Sequence, residues 1–512
     1  MTPQSNFMIV APIKEGRAND VRALLNTLNL DAAPGMADPD GERFPFRQFE
    51  TIHFARFVVI EDRTLIDFLA LKSQMADPIP SYDVALVFMG DCDGPAEDTL
   101  QAMVAHAAAA RTLREIFAHC KEFTEGADLL DWMQAREHAP AANYVNWLGR
   151  TVSQVRQEAR LFAALRAELA TFLGEDPKNI DAAEAAYQRL KGVFDRSTDL
   201  QPTPPAPTPF GWLLANQLHF ASVPFVLLLP WLLVFPLYLN MPASLGWVML
   251  AGLGAAGIAF VYLWTYANFP TAVFLISVVA AAVFPAMLSL LLCSFVPLVL
   301  AVAVLAAFVI VLRCYEKNEP EIIPREPAAR LDRHVEALAV REDHDVTNQF
   351  TVVGSVKPSL FRRWLAVALL WIIDYAARHF FIRGHLGRIQ TIHFARWVFI
   401  NDKKRLIFCS NYDGSLEAYM DDFINKVGWG LNLAFGCGYG YPRVHWLLAG
   451  GSKEEQKFKY TLRRHQLPSD VWYKAYPGLT AYDLARNTRV HEALRRPVLR
   501  PEEIRMLMRD LS

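Results

Sequence analysis

The sequence predicts an α+β protein in which two copies of one module flank a block of transmembrane helices. Three observations support this fold class. They are a long segment without charged residues, a set of sequence blocks that occurs twice in the same order, and short β-branched runs that alternate with helical patterns. The chain has 512 residues, which is enough for two or three domains.

The segment from Phe210 to Leu312 contains no Lys, Arg, Asp or Glu. A helix of a soluble protein needs a polar face, so a charge-free stretch of this length favours a lipid bilayer over a globular core. About 20 apolar residues span the hydrocarbon core, and the segment has room for four spans, although two or three remain possible. The candidate spans are Leu218–Leu239, Leu245–Ala267, Thr271–Leu288 and Leu291–Arg313.

Composition indicates where the flanking parts lie. The chain has 51 basic and 53 acidic residues, which gives no clustered positive charge and speaks against nucleic acid as a partner. Its six cysteines include no C-x-x-C pair, so neither a structural zinc site nor a secreted disulfide framework is expected. Positive charge at Arg313 favours a cytoplasmic exit. We therefore expect an integral protein of the bacterial inner membrane with cytoplasmic modules.

An internal repeat defines the modules. Thr51-Ile-His-Phe-Ala-Arg-Phe57 recurs as Thr391-Ile-His-Phe-Ala-Arg-Trp397, and three further blocks follow the same order in both copies. Such collinear blocks indicate a duplication. The further pairs are Val10–Lys14 with Val353–Lys357, Leu86–Gly94 with Leu406–Gly414, and Tyr144–Thr151 with Tyr473–Thr480.

Each copy reads as strand, helix, strand, strand, helix, strand. Copy one has β-branched runs at Phe7–Ile13, Ile52–Ile60 and Val84–Met89, with a last short strand at Tyr144–Trp147. The order βαββαβ is that of a ferredoxin-like split βαβ sheet. The predicted organisation is copy one at 1–175, a helix and Pro-rich linker at 176–210, transmembrane helices at 211–313, a linker at 314–345, and copy two at 346–500.

Copy two differs from copy one in its first helix, for which we predict residues 361–382. Its apolar run is too short to span a bilayer, and four arginines flank it: Arg362, Arg363, Arg378 and Arg383. This composition suits a helix that lies in the membrane interface, where cations meet lipid headgroups. The alternative is an ordinary buried helix.

The repeated motif supplies the first candidate site residues. Strand alternation places His53 and His393 on one face and Arg56 and Arg396 on the other, so the two residue types of one motif do not share a pocket. A repeated histidine serves as a ligand, a proton shuttle or a hydrogen-bonded structural residue. All three roles remain open for these two.

Asp93 and Asp413 end a strand and are each followed by glycine and a helix. Aspartate in this position commonly caps the following helix. Copy one also spells Gly90-Asp-Cys-Asp-Gly94, which resembles the distal G-x-x-D-G motif of the dye-decolourising peroxidases. That resemblance implies a haem enzyme built from two ferredoxin-like halves, in which the aspartate acts beside a distal arginine and a histidine ligates the iron. Copy two has Ser410 in place of the first glycine.

The resemblance makes Asp93, Asp413, His53, His393, Arg56 and Arg396 the candidate catalytic residues and haem a candidate cofactor, with His106, His119 and His138 as further available histidines. Two weaker signals lie in copy two. The carboxylates Glu417, Asp421 and Asp422 form either a cation site or an exposed acidic helix face. The glycine-rich segment Phe435–Pro442 indicates a closely approached loop.

The arrangement also resembles a family of uncharacterised bacterial membrane proteins that carry the H-F-A-R and D-G module in tandem. No complete catalytic constellation is present, so the favoured interpretation is a membrane-anchored module that binds a lipid or a protein partner at the cytoplasmic membrane face. The alternative is a haem-dependent, peroxidase-like oxidoreductase acting at the membrane. A transporter is a third interpretation, but the segment from Phe210 to Leu312 contains no charged residue for an ion pathway.

Overall fold

The computed structural model describes residues 1–61, 82–172, 180–196, 201–234, 296–319, 328–384 and 386–511. These residues form an α+β structure with mixed sheets. The chain divides into two compact units. Unit 1 comprises Met1–Pro207, Glu321–Asp374 and Phe381–Ser512, and unit 2 comprises Thr208–Pro320 and Tyr375–Phe380.

Copy one contributes six strands to unit 1, where β-branched and aromatic residues form the long strands and short polar segments separate them. The strands are β1 (Gln4–Pro12), β2 (Asn29–Leu30), β3 (Ala33–Ala37), β4 (Ile52–Ile60), β5 (Ala85–Asp93) and β6 (Ala142–Val145). Its helices are α1 (Ala18–Asn26), α2 (Ala96–Ala105), α3 (Ala107–Phe117), α4 (Leu129–Gln134), α5 (Val152–Phe172) and α6 (Ile180–Arg196).

The remaining described elements follow α6 in the chain, and copy two supplies most of them. The strands are β7 (Thr347–Ser355), β8 (Ile392–Ile400), β9 (Arg405–Asp413), β10 (Val444–His445), β11 (Ala449–Gly450) and β12 (Val471–Lys474). The helices are α7 (Phe210–Val234), α8 (Val296–Asn318), α9 (Ala328–Ala339), α10 (Leu360–His379), α11 (Leu416–Phe435), α12 (Glu455–His465), α13 (Ala481–Arg495) and α14 (Pro501–Leu511).

The two copies exchange their last strands. The first sheet has the order β1-β5-β4-β12-β3-β2, so β12 of copy two pairs with β4 of copy one. The second sheet has the order β6-β8-β9-β7, so β6 of copy one pairs with β8 of copy two. A self-contained split βαβ sheet would draw all four strands from one copy. Each main sheet here is completed by a strand of the other copy.

The two sheets share an apolar core. Met8, Val58 and Val87 of the first sheet belong to one buried cluster with Val353 and Val398 of the second. Their side chains occupy alternate positions along the strands, as expected when one face of each sheet is buried against the other. The burial of both strand sets in one cluster joins the copies into a single unit.

A second apolar core lies among four helices. Leu161 and Leu165 of α5 form a second buried cluster with Leu190 of α6, Val490 of α13 and Leu507 of α14. The spacing of these leucines places them on one helical stripe. Helices α5 and α13 directly follow the exchanged strands, so this cluster also holds parts of both copies together.

Unit 2 contains α7, α8 and the segment Tyr375–Phe380, which includes the end of α10. Within it, His219 Nδ1 lies 3.0 Å from His379 Nε2, and the Tyr375 hydroxyl donates to the Phe220 carbonyl at 3.0 Å. Burial and the nearby charges of His219 and Arg378 lower the pKa of His379 to about 3. His379 is therefore neutral in the folded protein at ordinary pH.

The prediction of a transmembrane block, and with it that of an inner-membrane protein, is contradicted. Among the described residues no helix is long and apolar enough to cross a bilayer. A span needs about 20 predominantly apolar residues within one helix, and no described helix meets this requirement.

The four proposed spans differ in how much of them the structure describes. Leu245–Ala267 and Thr271–Leu288 lie outside the described residues, as do the end of Leu218–Leu239 and the start of Leu291–Arg313. The interfacial helix predicted at 361–382 corresponds to α10, Leu360–His379. Its Arg362 is only 2% exposed, so this arginine is not placed to meet lipid headgroups. The interfacial location of the helix as a whole stays a prediction.

Candidate functional site

The repeated histidine of copy one is held at both ring nitrogens. The pairing of β4 with β5 shifts register between Ile52 and Phe54, and His53 lies at this bulge. Its Nε2 is 3.0 Å from Asp93 Oδ1, and its Nδ1 is 3.1 Å from the Tyr476 hydroxyl. A carboxylate only accepts, so in the neutral imidazole Nε2–H donates to Asp93 and Nδ1 accepts from Tyr476.

The repeated histidine of copy two is held at one nitrogen. The register of β8 and β9 shifts between Ile392 and Phe394 in the same way, and His393 Nε2 lies 2.7 Å from Asp413 Oδ1. Within the described part of the chain, Nδ1 of His393 has no hydrogen-bonding partner. Each histidine therefore has its own carboxylate partner at Nε2, but only His53 also has a hydrogen-bonding partner at Nδ1.

A single substitution between the repeats accounts for this difference. In the aligned blocks, Trp147 of copy one stands where copy two has Tyr476. The equivalence holds in space, because the residue before Trp147 donates its backbone N–H to the His393 carbonyl at 2.9 Å. The residue before Tyr476 donates to the His53 carbonyl, also at 2.9 Å. Tryptophan has no hydroxyl group that could donate to Nδ1 of His393 as Tyr476 donates to Nδ1 of His53. Nδ1 of His393 therefore lacks this hydrogen bond.

The two aspartates hold helices that are remote in sequence. Asp93 Oδ2 accepts from the backbone N–H of Val152, the first residue of α5, at 2.8 Å. Asp413 Oδ2 accepts from the backbone N–H of Ala481, the first residue of α13, at 2.7 Å. Each aspartate thus ties a strand end to the helix that follows the exchanged strand of its own copy, where a negative charge is favourable.

The expected capping of the next helix in sequence is wrong. The N-cap of α2 is Pro95, which makes no side-chain cap bond, and that of α11 is Ser415, whose hydroxyl accepts from Ala418 N. Instead, Oδ1 of each aspartate binds the histidine of its copy. Oδ2 accepts from the first backbone N–H of α5 or α13. Strand end, histidine and helix N-terminus therefore form one connected unit in each copy.

Electrostatics keep the copy-two aspartate ionised. Burial alone would raise the pKa of Asp413, but attraction to His393 and hydrogen bonds from His393, Ala481 N and Thr347 outweigh it, so the pKa is lowered. The Thr347 hydroxyl donates to Oδ1 at 2.9 Å. Asp413 is therefore a carboxylate in the folded protein at neutral pH.

The repeated arginines point into the space between the sheets, away from the histidines, as alternation predicted. Arg56 Nη1 donates to the Phe350 carbonyl at 3.1 Å and to Thr351 Oγ1 at 2.9 Å, and Nη2 donates to Asn411. Burial, only partly opposed by nearby negative charge, lowers the pKa of Arg56. All of these partners belong to copy two, so Arg56 fastens one sheet to the other.

Arg396 performs the reciprocal function. Its Nη1 donates to the Phe7 carbonyl at 2.9 Å, and its Nη2 forms a buried ion pair with Asp91. Both arginines are at most 3% exposed. Their bonds place them in the interior of the double sheet rather than in a cavity.

A small cavity lies where the two copies meet. It has a volume of about 20 Å³, and both repeated histidines line it. The other lining residues are Val145, Asn146, Trp147, Arg150, Val155, Phe394, Tyr476 and Leu484. A cavity holds a water molecule from about 10–15 Å³ upward, so this one has room for a water molecule or a very small solute.

Arg150 is the charged residue of this cavity and is only 3% exposed. Its guanidinium stacks on the Trp147 ring, with 4.0 Å between Cζ and the ring centroid. Within the described residues, Nε and Nη2 are buried without a hydrogen-bonding partner. Burial lowers the pKa of Arg150 to about 10, although the nearby Glu158 carboxylate opposes this. Arg150 is therefore a buried cation whose donors are not all used.

Glu158 forms no hydrogen bond to these donors, and its oxygens bind three other side chains. Its Oε1 lies 2.9 Å from His491 Nδ1 and accepts from Gln154 at 2.8 Å, while Oε2 accepts from Thr488 at 2.6 Å. Glu158 thus compensates part of the Arg150 charge through space only. Buried donors without partners are rare in folded proteins and call for a specific cause.

Haem does not fit the residues that the peroxidase resemblance designates. Both carboxylate oxygens of Asp93 and both ring nitrogens of His53 are already hydrogen-bonded. Arg56 fastens the sheets, and a cavity of about 20 Å³ is far smaller than a porphyrin. His106, His119 and His138 do not line this cavity.

The other sequence candidates take structural or surface roles. Asp421 pairs with Lys459, and Asp422 with Lys426, which is typical of a charged helix face. Among the described residues, no group of three His, Cys, Asp or Glu side chains could hold a metal ion. The glycine-rich loop borders a mainly apolar cavity of about 60 Å³, where Cys437 is one of the lining residues.

Sequence reasoning placed His53 and His393 among the site residues but missed Arg150 and Tyr476. A signal for them existed in the last repeated block, where Trp147 aligns with Tyr476 and Arg150 aligns with a leucine. Differences between repeats mark where one copy has acquired a side chain that the shared fold does not need.

Comparison with protein-family models, with curated proteins and with solved structures finds no match for this chain.

Proposed function

We propose that unit 1 is a binding module for a small monocarboxylate of the size of formate, held in the cavity between the two copies. The observation that carries this proposal is the Arg150 guanidinium, which is buried at the cavity with Nε and Nη2 lacking partners among the described residues. Leaving one such donor unsatisfied costs about 1–3 kcal/mol. A ligand that accepts from both atoms recovers this free energy on binding.

The geometry of the open donors favours a carboxylate. Nε–H and one Nη2–H lie on the same edge of a guanidinium and point in the same direction, which is the fork that binds a carboxylate through two parallel hydrogen bonds. A water molecule presents one oxygen and cannot occupy both directions at ideal geometry. The Trp147 ring beneath the guanidinium fixes the plane of this fork.

Charge and size support the same choice. Glu158 is the carboxylate whose attraction opposes the burial effect on Arg150, and its oxygens are committed to other donors. A monovalent anion adds the missing acceptors without bringing the larger charge of a phosphate next to buried side chains. The volume of about 20 Å³ excludes long acids unless the walls rearrange.

Calorimetric titration of the full chain with sodium formate, against sodium chloride at equal ionic strength, tests this function. We expect saturable one-site binding that is lost in Arg150→Met. Methionine replaces the buried cation with an apolar side chain of similar length, so the apo variant should be as stable as the wild type or more stable. The matched control is Arg111→Met, which changes an exposed arginine and should bind formate like the wild type.

Three results would overturn the proposal. The first is the absence of a formate-specific heat in the wild-type protein. The second is equal formate binding by the wild type and Arg150→Met, since the ligand would then lie elsewhere. The third is a single ordered water at Arg150 in crystals grown with formate, which would assign the cavity to solvent.

A further inference from the structure

Nδ1 of His393 has no hydrogen-bonding partner among the described residues, and His393 lines the cavity where the anion would bind. Nε2 is held by Asp413 at 2.7 Å, so in the neutral imidazole Nε2 carries the hydrogen and Nδ1 carries a lone pair. A lone pair that faces a carboxylate oxygen is repulsive, and the contact becomes a hydrogen bond only when Nδ1 gains a proton.

The groups around His393 bear on this proton in opposite directions. Asp413 on β9 favours the imidazolium because it is negative and hydrogen-bonded to the ring. Arg150 lines the same cavity and disfavours a second positive charge. His53 and the aromatic rings of Tyr476 and Phe54 complete the surroundings, with centroid distances from His393 of 6.2 and 5.5 Å for the two rings. An incoming carboxylate cancels the repulsion from Arg150.

We infer that the cavity takes up its carboxylate ligand together with one proton, which comes from solvent and is bound at Nδ1 of His393. This inference rests on the proposed function. The imidazolium then lies between Asp413 and the ligand and donates to both, while Arg150 donates to the ligand from the other side. No bond other than the new N–H forms, and no further reactant is needed.

The other repeated histidine cannot take this role. Nδ1 of His53 already accepts from the Tyr476 hydroxyl at 3.1 Å, so a proton added there would meet a donor that must first rotate away. Trp147 at the equivalent position in copy one leaves His393 without such a partner. In copy one, Nδ1 of the paired histidine is occupied by Tyr476, whereas in copy two Nδ1 can accept a proton. Only the copy-two pair therefore couples ligand binding to protonation.

Calorimetry in buffers of different ionisation enthalpy tests the inference. At pH 8, where histidine is ordinarily neutral, we expect formate binding by the wild-type chain to take up close to one proton. Between pH 7.5 and 9 the affinity should fall about tenfold per pH unit, since each unit removes a factor of ten in proton concentration.

The variant His393→Gln separates the outcomes. Glutamine keeps an amide N–H for Asp413 but cannot accept a proton, so we expect weaker formate binding with no proton uptake and no pH dependence above pH 7.5. His344→Gln, which changes an exposed histidine, should retain the wild-type uptake. Formate binding by the wild type without proton uptake would overturn this inference and leave the binding function standing. No formate binding at all would instead reject the binding function on which it rests.

Discussion

Two equivalent arginines fasten the sheets with unequal partners. In the repeat alignment, Asp91 of copy one corresponds to Asn411 of copy two. Arg396 therefore pairs with a carboxylate, whereas Arg56 donates to a neutral amide at the matching place. Asp91 is completely buried, and burial raises its pKa against the attraction of both arginines. The Asp91 carboxylate therefore needs its arginine partner to stay charged in the interior, whereas the neutral Asn411 amide does not.

Replacing each arginine with methionine measures this difference. Arg396→Met leaves a buried carboxylate without its ion-pair partner, and we expect a loss of about 3–5 kcal/mol in the free energy of unfolding. Arg56→Met leaves neutral acceptors, and we expect a smaller loss of about 1–3 kcal/mol. Urea denaturation of both variants at pH 7 provides the comparison.

The double variant Arg396→Met with Asp91→Asn is the control, because it removes the stranded charge. We expect it to recover part of the stability lost in Arg396→Met alone, since the remaining amide is cheaper to bury than an unpaired carboxylate. Equal losses for the two single variants would show that the ion pair adds nothing beyond its hydrogen bonds.

At the residue scale, strand periodicity was informative and partner identity was not. Alternation placed Arg56 and His53 on opposite faces, because that follows from the period of any extended strand. It could not reveal that Arg56 reaches Asn411 in the other copy. Nor could it single out Arg150, whose importance depends on a stacking ring and on acceptors that are absent around it.

At the scale of elements, each helix that follows an exchanged strand is anchored twice at its start. Helix α13 begins with a capping box in which Thr480 and Asp483 satisfy each other's backbone N–H groups. Asp413 then accepts from Ala481 N. Because the same carboxylate binds His393, the helix, β8 and β9 are fixed together by one charged group.

Asp413→Asn tests this anchoring through its pH dependence. The folded pKa of Asp413 is lowered, so its stabilising charge is fully present above the unfolded value near 3.9 and is lost as pH falls through the folded value. We expect the variant to be less stable by roughly 1–3 kcal/mol at pH 6, because an amide cannot supply the charged acceptor. The difference should shrink toward pH 3.

Denaturant titrations of wild type and variant at several pH values from 3 to 7 check this expectation. Asp332→Asn, which changes an exposed aspartate of α9, serves as the control and should give no pH-dependent difference. A constant difference between wild type and Asp413→Asn across this range would mean that the carboxylate charge contributes nothing to folding.

The wrong capping prediction shows what limits sequence reasoning at this scale. An aspartate and a glycine before a helix are typical of an N-cap, and for α2 and α11 the pattern was followed by helices as expected. The aspartate side chain, however, binds whichever N–H groups the tertiary structure brings closest. For Asp93, this N–H group belongs to Val152 at the start of α5, 59 residues away in the chain.

At the scale of unit 1, strand exchange makes the two copies depend on each other. Strands β4 and β8 share the sequence I-H-F-A-R and present nearly the same edge. Either edge can accept either last strand, so the sequence alone does not decide which copy completes which sheet. The pairing depends on the paths of the connections from α4 to β6 and from α12 to β12. The sequence identity between the repeats does not reveal these paths.

This interdependence predicts cooperative unfolding of both sheets. Phe88 and Phe408 are equivalent buried residues, and each packs on the aromatic residue of its repeated motif. Phe88 stacks on Phe57 at 4.2 Å, and Phe408 contacts Trp397 at 4.7 Å between ring centroids. We expect Phe88→Ala and Phe408→Ala each to destabilise unit 1 by about 3–5 kcal/mol.

Hydrogen exchange followed by mass spectrometry distinguishes joint from separate unfolding. If exchange of the last strands couples the copies, Phe88→Ala lowers the protection of β7 in copy two as much as that of β1 in copy one, and Phe408→Ala does the same in reverse. Independent copies would behave differently, since each substitution would then expose only the strands of its own copy. Such a result would mean that β6 and β12 dissociate easily from their partner sheets, and that the cavity between the copies opens without unfolding either one.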